Sequence, residues 1–226
     1  MKKLLWLSLF ITISISAYGQ RNADFGVFGG LSSYLGDINP GRLMYSPLPA
    51  GGLLYRYNFN PRQALRTNVF IGGLRADDLD FKNSFQTARA ASFSGFVGEW
   101  AIQYEFNFLQ YSTQGKRWNY TPYIAAGAGI AFINTAVFTY VPVIPFSLGF
   151  KINIYKNLGL EAEYGFRKTF YDNFDGLKDL TDPSDYGWLH NNDWYSFAGI
   201  TFTWKIYNRL AGCPAFKDVD ITRKRY

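Results

Sequence analysis

Residues 96–108 read FVGEWAIQYEFNF, and the two parities of that run differ in kind. Phe96, Gly98, Trp100, Ile102, Tyr104, Phe106 and Phe108 share one; Val97, Glu99, Ala101, Gln103, Glu105 and Asn107 share the other. A strict period of two is that of a β-strand, whose successive side chains point to opposite faces. An almost wholly aromatic face opposed by carboxylates then admits two arrangements. Either the rings form the core of a soluble β-sandwich and the acids are wet, or the rings meet hydrocarbon and the acids are enclosed in a barrel.

The same alternation recurs at 25–35, 53–59, 65–73, 146–154, 158–167 and 194–206, and more weakly at 121–133, where both parities are small or apolar. That makes eight segments, most of them near the roughly 9–11 residues a membrane strand needs. The tripeptides NPR (60–62) and YKN (155–157) are tight turns, whereas 36–51, 75–92 and 170–193 are long and polar, and 109–119 is intermediate. Short turns at one end and long loops at the other is the pattern of an outer-membrane barrel. Aromatics reach 19% and charged residues only 18% of the 226 residues, below the quarter usual in soluble domains, which argues against the sandwich. The fold class predicted is therefore all-β, an eight-stranded antiparallel transmembrane β-barrel of the outer-membrane type with a periplasmic C-terminal tail. An even strand count returns both ends of the chain to the periplasm.

Residues 1–19 read as a signal peptide: a basic MKK, a short apolar run LLWLSLFITISIS, and small residues at Ala17 and Gly19. A retained anchor is the alternative, but the run is short for a bilayer core of about 30 Å. No later segment is a transmembrane helix by length and apolarity. The net charge of +6 comes without a nucleic-acid-binding motif or basic helix, so nucleic acid is not an expected partner.

With the aromatic parity turned to lipid, the opposite parity sends Arg56, Arg66, Glu99, Glu105, Lys151, Glu161, Glu163, Arg167 and Lys205 into the lumen. An eight-stranded barrel is just wide enough to be filled by side chains, and buried charges must be paired. These nine are predicted to form an internal ion-pair network rather than an ion path. Trp100, Tyr104, Tyr55, Tyr57, Trp118, Tyr120, Tyr123, Trp194 and Trp204 are candidates for the lipid face or interface belts, where an apolar ring with a polar tip is favoured.

Catalysis finds little support. His190, in DYGWLHNND, is the single histidine, and a Ser–His–acid lipid hydrolase would need it oriented by an acid beside a nucleophile. Asp77, Asp78 and Asp80 have carboxylates in close succession, but no calcium-loop spacing. No cofactor or metal motif is present and no enzyme is expected. The one cysteine, Cys213, follows the last strand in a polar stretch ending Arg223, Lys224, Arg225. In the oxidising periplasm a lone cysteine is either a free thiol or an intermolecular partner. The stretch is either a loose remnant or a docking arm bearing Cys213, Arg223, Lys224 and Arg225.

The runs GGLSSYLGDINPG (29–41), RYNFNPRQALR (56–66), YEFNF (104–108), TPYIAAGAGIAF (121–132) and WYSFAGITFTWKI (194–206) resemble the PorG-like outer-membrane barrels of Bacteroidetes, part of the type IX protein secretion apparatus. The resemblance covers nearly the whole mature chain. The organisation expected from the residues is a signal peptide (1–19), a barrel (20–207) and a periplasmic tail (208–226). The resemblance implies a non-enzymatic component that tethers a ring lipoprotein of PorK or GldK type and its PorN- or GldN-type partner to the outer membrane near the translocon. The alternative is a free-standing OmpA- or OmpX-like structural barrel, or a lipid-modifying barrel enzyme.

Overall fold

The computed structural model of the chain describes residues 22–36, 38–39, 42–81, 84–112, 118–134, 138–155, 157–170 and 193–208. The expected signal peptide (1–19), His190, Cys213, Arg223, Lys224, Arg225 and all of the tail beyond Asn208 lie outside them.

Period-two sequence becomes eight strands: β1 (Asn22–Leu35), β2 (Leu48–Asn60), β3 (Gln63–Asp77), β4 (Ser92–Asn107), β5 (Tyr120–Asn134), β6 (Phe138–Tyr155), β7 (Leu158–Thr169) and β8 (Trp194–Asn208). Each pairs antiparallel with its neighbours in sequence, and β1 with β8, from Leu35↔Trp194 to Asn22↔Asn208, closes the barrel. Closure leaves no unpaired edge. The turns β2–β3 and β6–β7 and the connection from Asn107 to Tyr120 share one end; at the other lie the β1–β2, β3–β4, β5–β6 and β7–β8 connections. The β3–β4 connection carries a 3₁₀ turn (Asp78–Asp80) and a short helix, α1 (Ser84–Arg89). Among the described residues no helix is long and apolar enough to cross a membrane.

The strands outrun the sequence periodicity. β3 extends to Asp77 and β2 begins at Leu48, so the loops expected over 36–51 and 75–92 shrink. The largest extension is in β6, which starts at Phe138 rather than near 146. Pro142 and Pro145 conceal it, since proline donates nothing to a ladder. The ladder accommodates both: β6–β7 pairing begins only at Val143↔Thr169, and β5–β6 pairing lapses between Gly129↔Val143 and Ala126↔Phe146, beside Pro145.

Burial follows parity. Along β3, Ala64, Arg66, Asn68, Phe70, Leu74 and Ala76 are buried while Leu65, Val69 and Ile71 are exposed. The interior is stratified: toward the long-loop end an apolar cluster includes Phe28, Phe70, Leu74, Val97, Ile133, Val143 and Phe197, and toward the short-turn end most of the buried side chains are polar or charged.

Candidate functional site

Interior parity alone places ten charges in the lower and middle lumen. Each strand except β5 supplies one or more: Asp24 from β1, Arg56 from β2, Arg66 from β3, Glu99 and Glu105 from β4, Lys151 from β6, Glu161, Glu163 and Arg167 from β7, and Lys205 from β8. Five acids face five bases. Arg56 donates both terminal nitrogens to Glu161, each at 2.6 Å, and its Nε to Glu105 at 3.0 Å. Arg66 makes the equivalent fork on Glu163 and turns its Nε to Gln103. Such two-pronged pairs fit the planar guanidinium to the planar carboxylate. Lys151 donates to Glu105 and, at 3.3 Å, to Asn107. Glu99 accepts from Arg167 Nε (3.1 Å), Tyr195 (2.7 Å) and Asn68 (3.1 Å). Asp24 lies 3.8 Å from both Arg56 and Lys205 and accepts from Asn58.

Aromatic rings frame this network. Tyr123 donates to Glu163 at 2.6 Å while its ring lies 4.2 Å from the Lys151 ammonium. The ring rests on Gly149, where a Cβ would come within 2.7 Å of it. Arg167 leaves both terminal nitrogens without a hydrogen-bond partner and instead spreads its guanidinium over Phe197 (4.9 Å) and Phe70 (5.7 Å), where the ring quadrupole attracts it.

Among the described residues, hydrogen bonds tie the connections together at both ends. At the short-turn end Asn60 caps its own turn by accepting from the Arg62 and Gln63 amides, and Pro61 and Arg62 carbonyls accept from Tyr111 and Asn107 amides. This draws the β4–β5 connection across the opening and buries Tyr111, whose phenol is pushed well up by burial and then by the field of Glu161. At the long-loop end Asn39 donates to the Tyr34 and Arg42 carbonyls and accepts from the Arg42 amide, Tyr34 donates to Asp193 at 2.6 Å, and Arg42 sits 4.5 Å above the Phe81 ring.

The acidic run 77–80 does not converge. Asp77 caps the Leu79 amide, Asp78 accepts from Arg89 and the Ala91 amide, and Asp80 accepts from Tyr45. Burial works to raise the Asp78 carboxyl, but those two donors overcome it and hold it below the usual range. Tyr45 is pushed up to about 12 by burial and by Asp80.

All nine lumen residues named from sequence point inward. Asp24 lies one residue ahead of the alternating run 25–35; carried back, that run gives it the parity of Phe28. Tyr123 requires a correction: it is 1% exposed and belongs to the lumen, not to an interface belt. In 121–133 both parities are small or apolar, so the period gave no direction. The outer wall keeps Tyr55, Trp100, Tyr104, Tyr120 and Trp204, together with Leu53, Val69, Ile102, Ile124, Leu148 and Phe202, all at least two-fifths exposed, and Trp118 is exposed in the β4–β5 connection. A water-facing monomer rarely carries a continuous apolar surface on that scale; hydrocarbon is its fitting solvent.

A sequence model for the family described as Domain of unknown function (DUF6089) matches residues 2–215. No match was found among curated proteins. Among solved structures, Neisserial surface protein A (NspA) aligns with a TM-score of 0.51 at 9% identity, covering 81% of this chain and 97% of that one. The outer membrane protein OprG of Pseudomonas aeruginosa gives 0.48 at 10% identity over 83% and 98%, and the N-terminal barrel domain of Pseudomonas aeruginosa OprF 0.44 at 12% over 82% and 99%. At such identities the likeness is one of fold, and of the three NspA carries it.

Proposed function

The chain belongs to the DUF6089 family, a domain of unknown function, and from that premise we propose that it is a non-enzymatic integral barrel of the outer membrane, an assembly component of type IX protein secretion. In this role it tethers a periplasmic ring lipoprotein of PorK or GldK type, with its PorN- or GldN-type partner, near the translocon. The short-turn end and both termini face the periplasm. The apolar outer wall supports the membrane placement. The observation that carries the scaffold role is the filled lumen: paired charges under an aromatic lid and over a tyrosine floor leave the ends and outer wall to do the work. The secretion assignment is supported by the resembling runs; Gly36, Ile38 and Asn39 of one lie at the long-loop end and NPR (60–62) of another at the short-turn end.

The test is affinity purification of the tagged chain from detergent-solubilised outer membranes. Co-purification of both ring proteins in fixed proportion is the expected result, and recovery of the barrel alone would favour a free-standing OmpA- or OmpX-like barrel. The docking arm is tested on the same membranes by non-reducing electrophoresis, where a covalent partner gives a higher band that is absent in Cys213→Ser. Ring attachment that survives deletion of 213–226 moves the contact to the short turns.

A further inference from the structure

Lys151, Asn107 and Glu105 form a buried cluster whose chemistry is not exhausted by an ion pair. Lys151 and Glu105 are wholly buried and Asn107 is 2% exposed. The Lys151 ammonium touches a Glu105 oxygen and lies 3.3 Å from Asn107 Oδ1. With a C=O bond of about 1.2 Å, the amide carbon is then no more than ~4.5 Å from that nitrogen, so an approach of about an ångström brings the pair to the ~3–3.5 Å of a near-attack arrangement. Asn107 Nδ2 points the other way, donating to the Pro61 carbonyl at 3.4 Å, so the amide presents its carbonyl side to the lysine. Arg56 Nε holds the second Glu105 oxygen at 3.0 Å, which aims the first at Lys151. The Tyr123 ring at 4.2 Å and the Tyr111 ring at 6.0 Å wall the ammonium off from water.

We propose that Lys151 and Asn107 join autocatalytically through an isopeptide bond, with Glu105 as the proton acceptor. Glu105 takes one proton from the ammonium, and the freed amine attacks Asn107 Cγ. This is the usual activation of a lysine nucleophile by an adjacent base in a dry site. The resulting tetrahedral carbon passes a second amine proton to Nδ2, and the Cγ–Nδ2 bond breaks. The departing ammonia takes the proton held by Glu105 and leaves as ammonium, beside Pro61 at the floor. A protonated lysine and a primary amide become a secondary amide and one ammonium ion; no oxidant or cofactor enters. The product ties β4 to β6 across β5 and removes a buried positive charge, while Glu105 keeps Arg56.

Peptide mapping by mass spectrometry of the folded protein from outer membranes tests this. The expected result is a single cross-linked peptide containing Asn107 and Lys151, lighter than its two components by about 17 Da, the mass of the ammonia lost beyond simple addition. Intact mass does not suffice, because a glutamine exposed at Gln20 by processing would cyclise with the same loss; the located peptide decides. Asn107→Ala and Glu105→Gln should each yield the two peptides unlinked, and Asn107→Ala, which keeps every charge in place, provides the folded control. Recovery of the wild-type peptides only in unlinked form overturns the proposal. A cross-link that persists in Glu105→Gln removes Glu105 from the chemistry.

Discussion

At the residue scale the lumen is a set of partnerships between strands far apart in the chain. Arg56 meets Glu161 and Arg66 meets Glu163, each two-pronged and out of water. Removing one member leaves the other charged and buried without its two-pronged counter-ion, Glu163 keeping only the Tyr123 hydroxyl; such a loss costs about 3–5 kcal/mol, whereas replacing both by apolar residues of similar volume is often close to neutral. Arg66→Met should therefore lower unfolding stability by that amount in denaturant titrations of the refolded barrel, and Arg66→Met with Glu163→Leu should recover most of it. Equal losses in the single and double variants would show that the pair itself, not the stranded charge, sets the cost. Parity made the inward direction of these residues legible; their partners were not, because pairing across a lumen depends on strand tilt and register, and a periodicity contains neither. Tyr123 shows where parity fails, in a strand with no polar face to contrast with the apolar one.

At the scale of elements, the pieces most at odds with the periodicity are those where proline or a cap replaces regular pairing. β6 was legible only from 146 onward because Pro142 and Pro145 mimic a loop. The 3₁₀ turn and α1 of the β3–β4 connection had no visible period, and what fixes them is Asp78, gripping Arg89 and the Ala91 amide together. The Asp78 carboxyl is held below its ordinary value, so its contribution is fully present above the unfolded carboxylate pKa of about 3.9 and is lost as pH falls through the lower folded value. Hydrogen exchange at the Ala91 amide should thus rise, beyond its intrinsic pH dependence, as the pH drops below about 4. Asp78→Asn should exchange faster at neutral pH and show no such step. A step of the same size in the Asn variant would assign it to another group.

At the scale of the whole molecule, closure, strand count and loop asymmetry were all present in the spacing of alternating segments, and the structure gives the closed eight-stranded barrel. A barrel of this width filled by side chains should pass no steady current. In planar bilayers the purified protein is expected to show no porin-like conductance, and stepwise channels would refute the filled lumen. Protease added to intact cells should cut within the β1–β2, β3–β4 or β7–β8 connections and spare 61–62 and 156–157; cutting at those turns would reverse the orientation. The stratified interior also bears on how such a chain is put together. Every strand contributes to the lower layer, β5 through Tyr123 and the other seven through charged side chains. A sheet of six or seven strands holds some of those charges without their counterparts, and Asp24 reaches Lys205 only when the first strand meets the last. Partly assembled intermediates are thereby penalised in a bilayer and closing the final seam is favoured, because sealing the barrel supplies the counter-charges that an open sheet lacks.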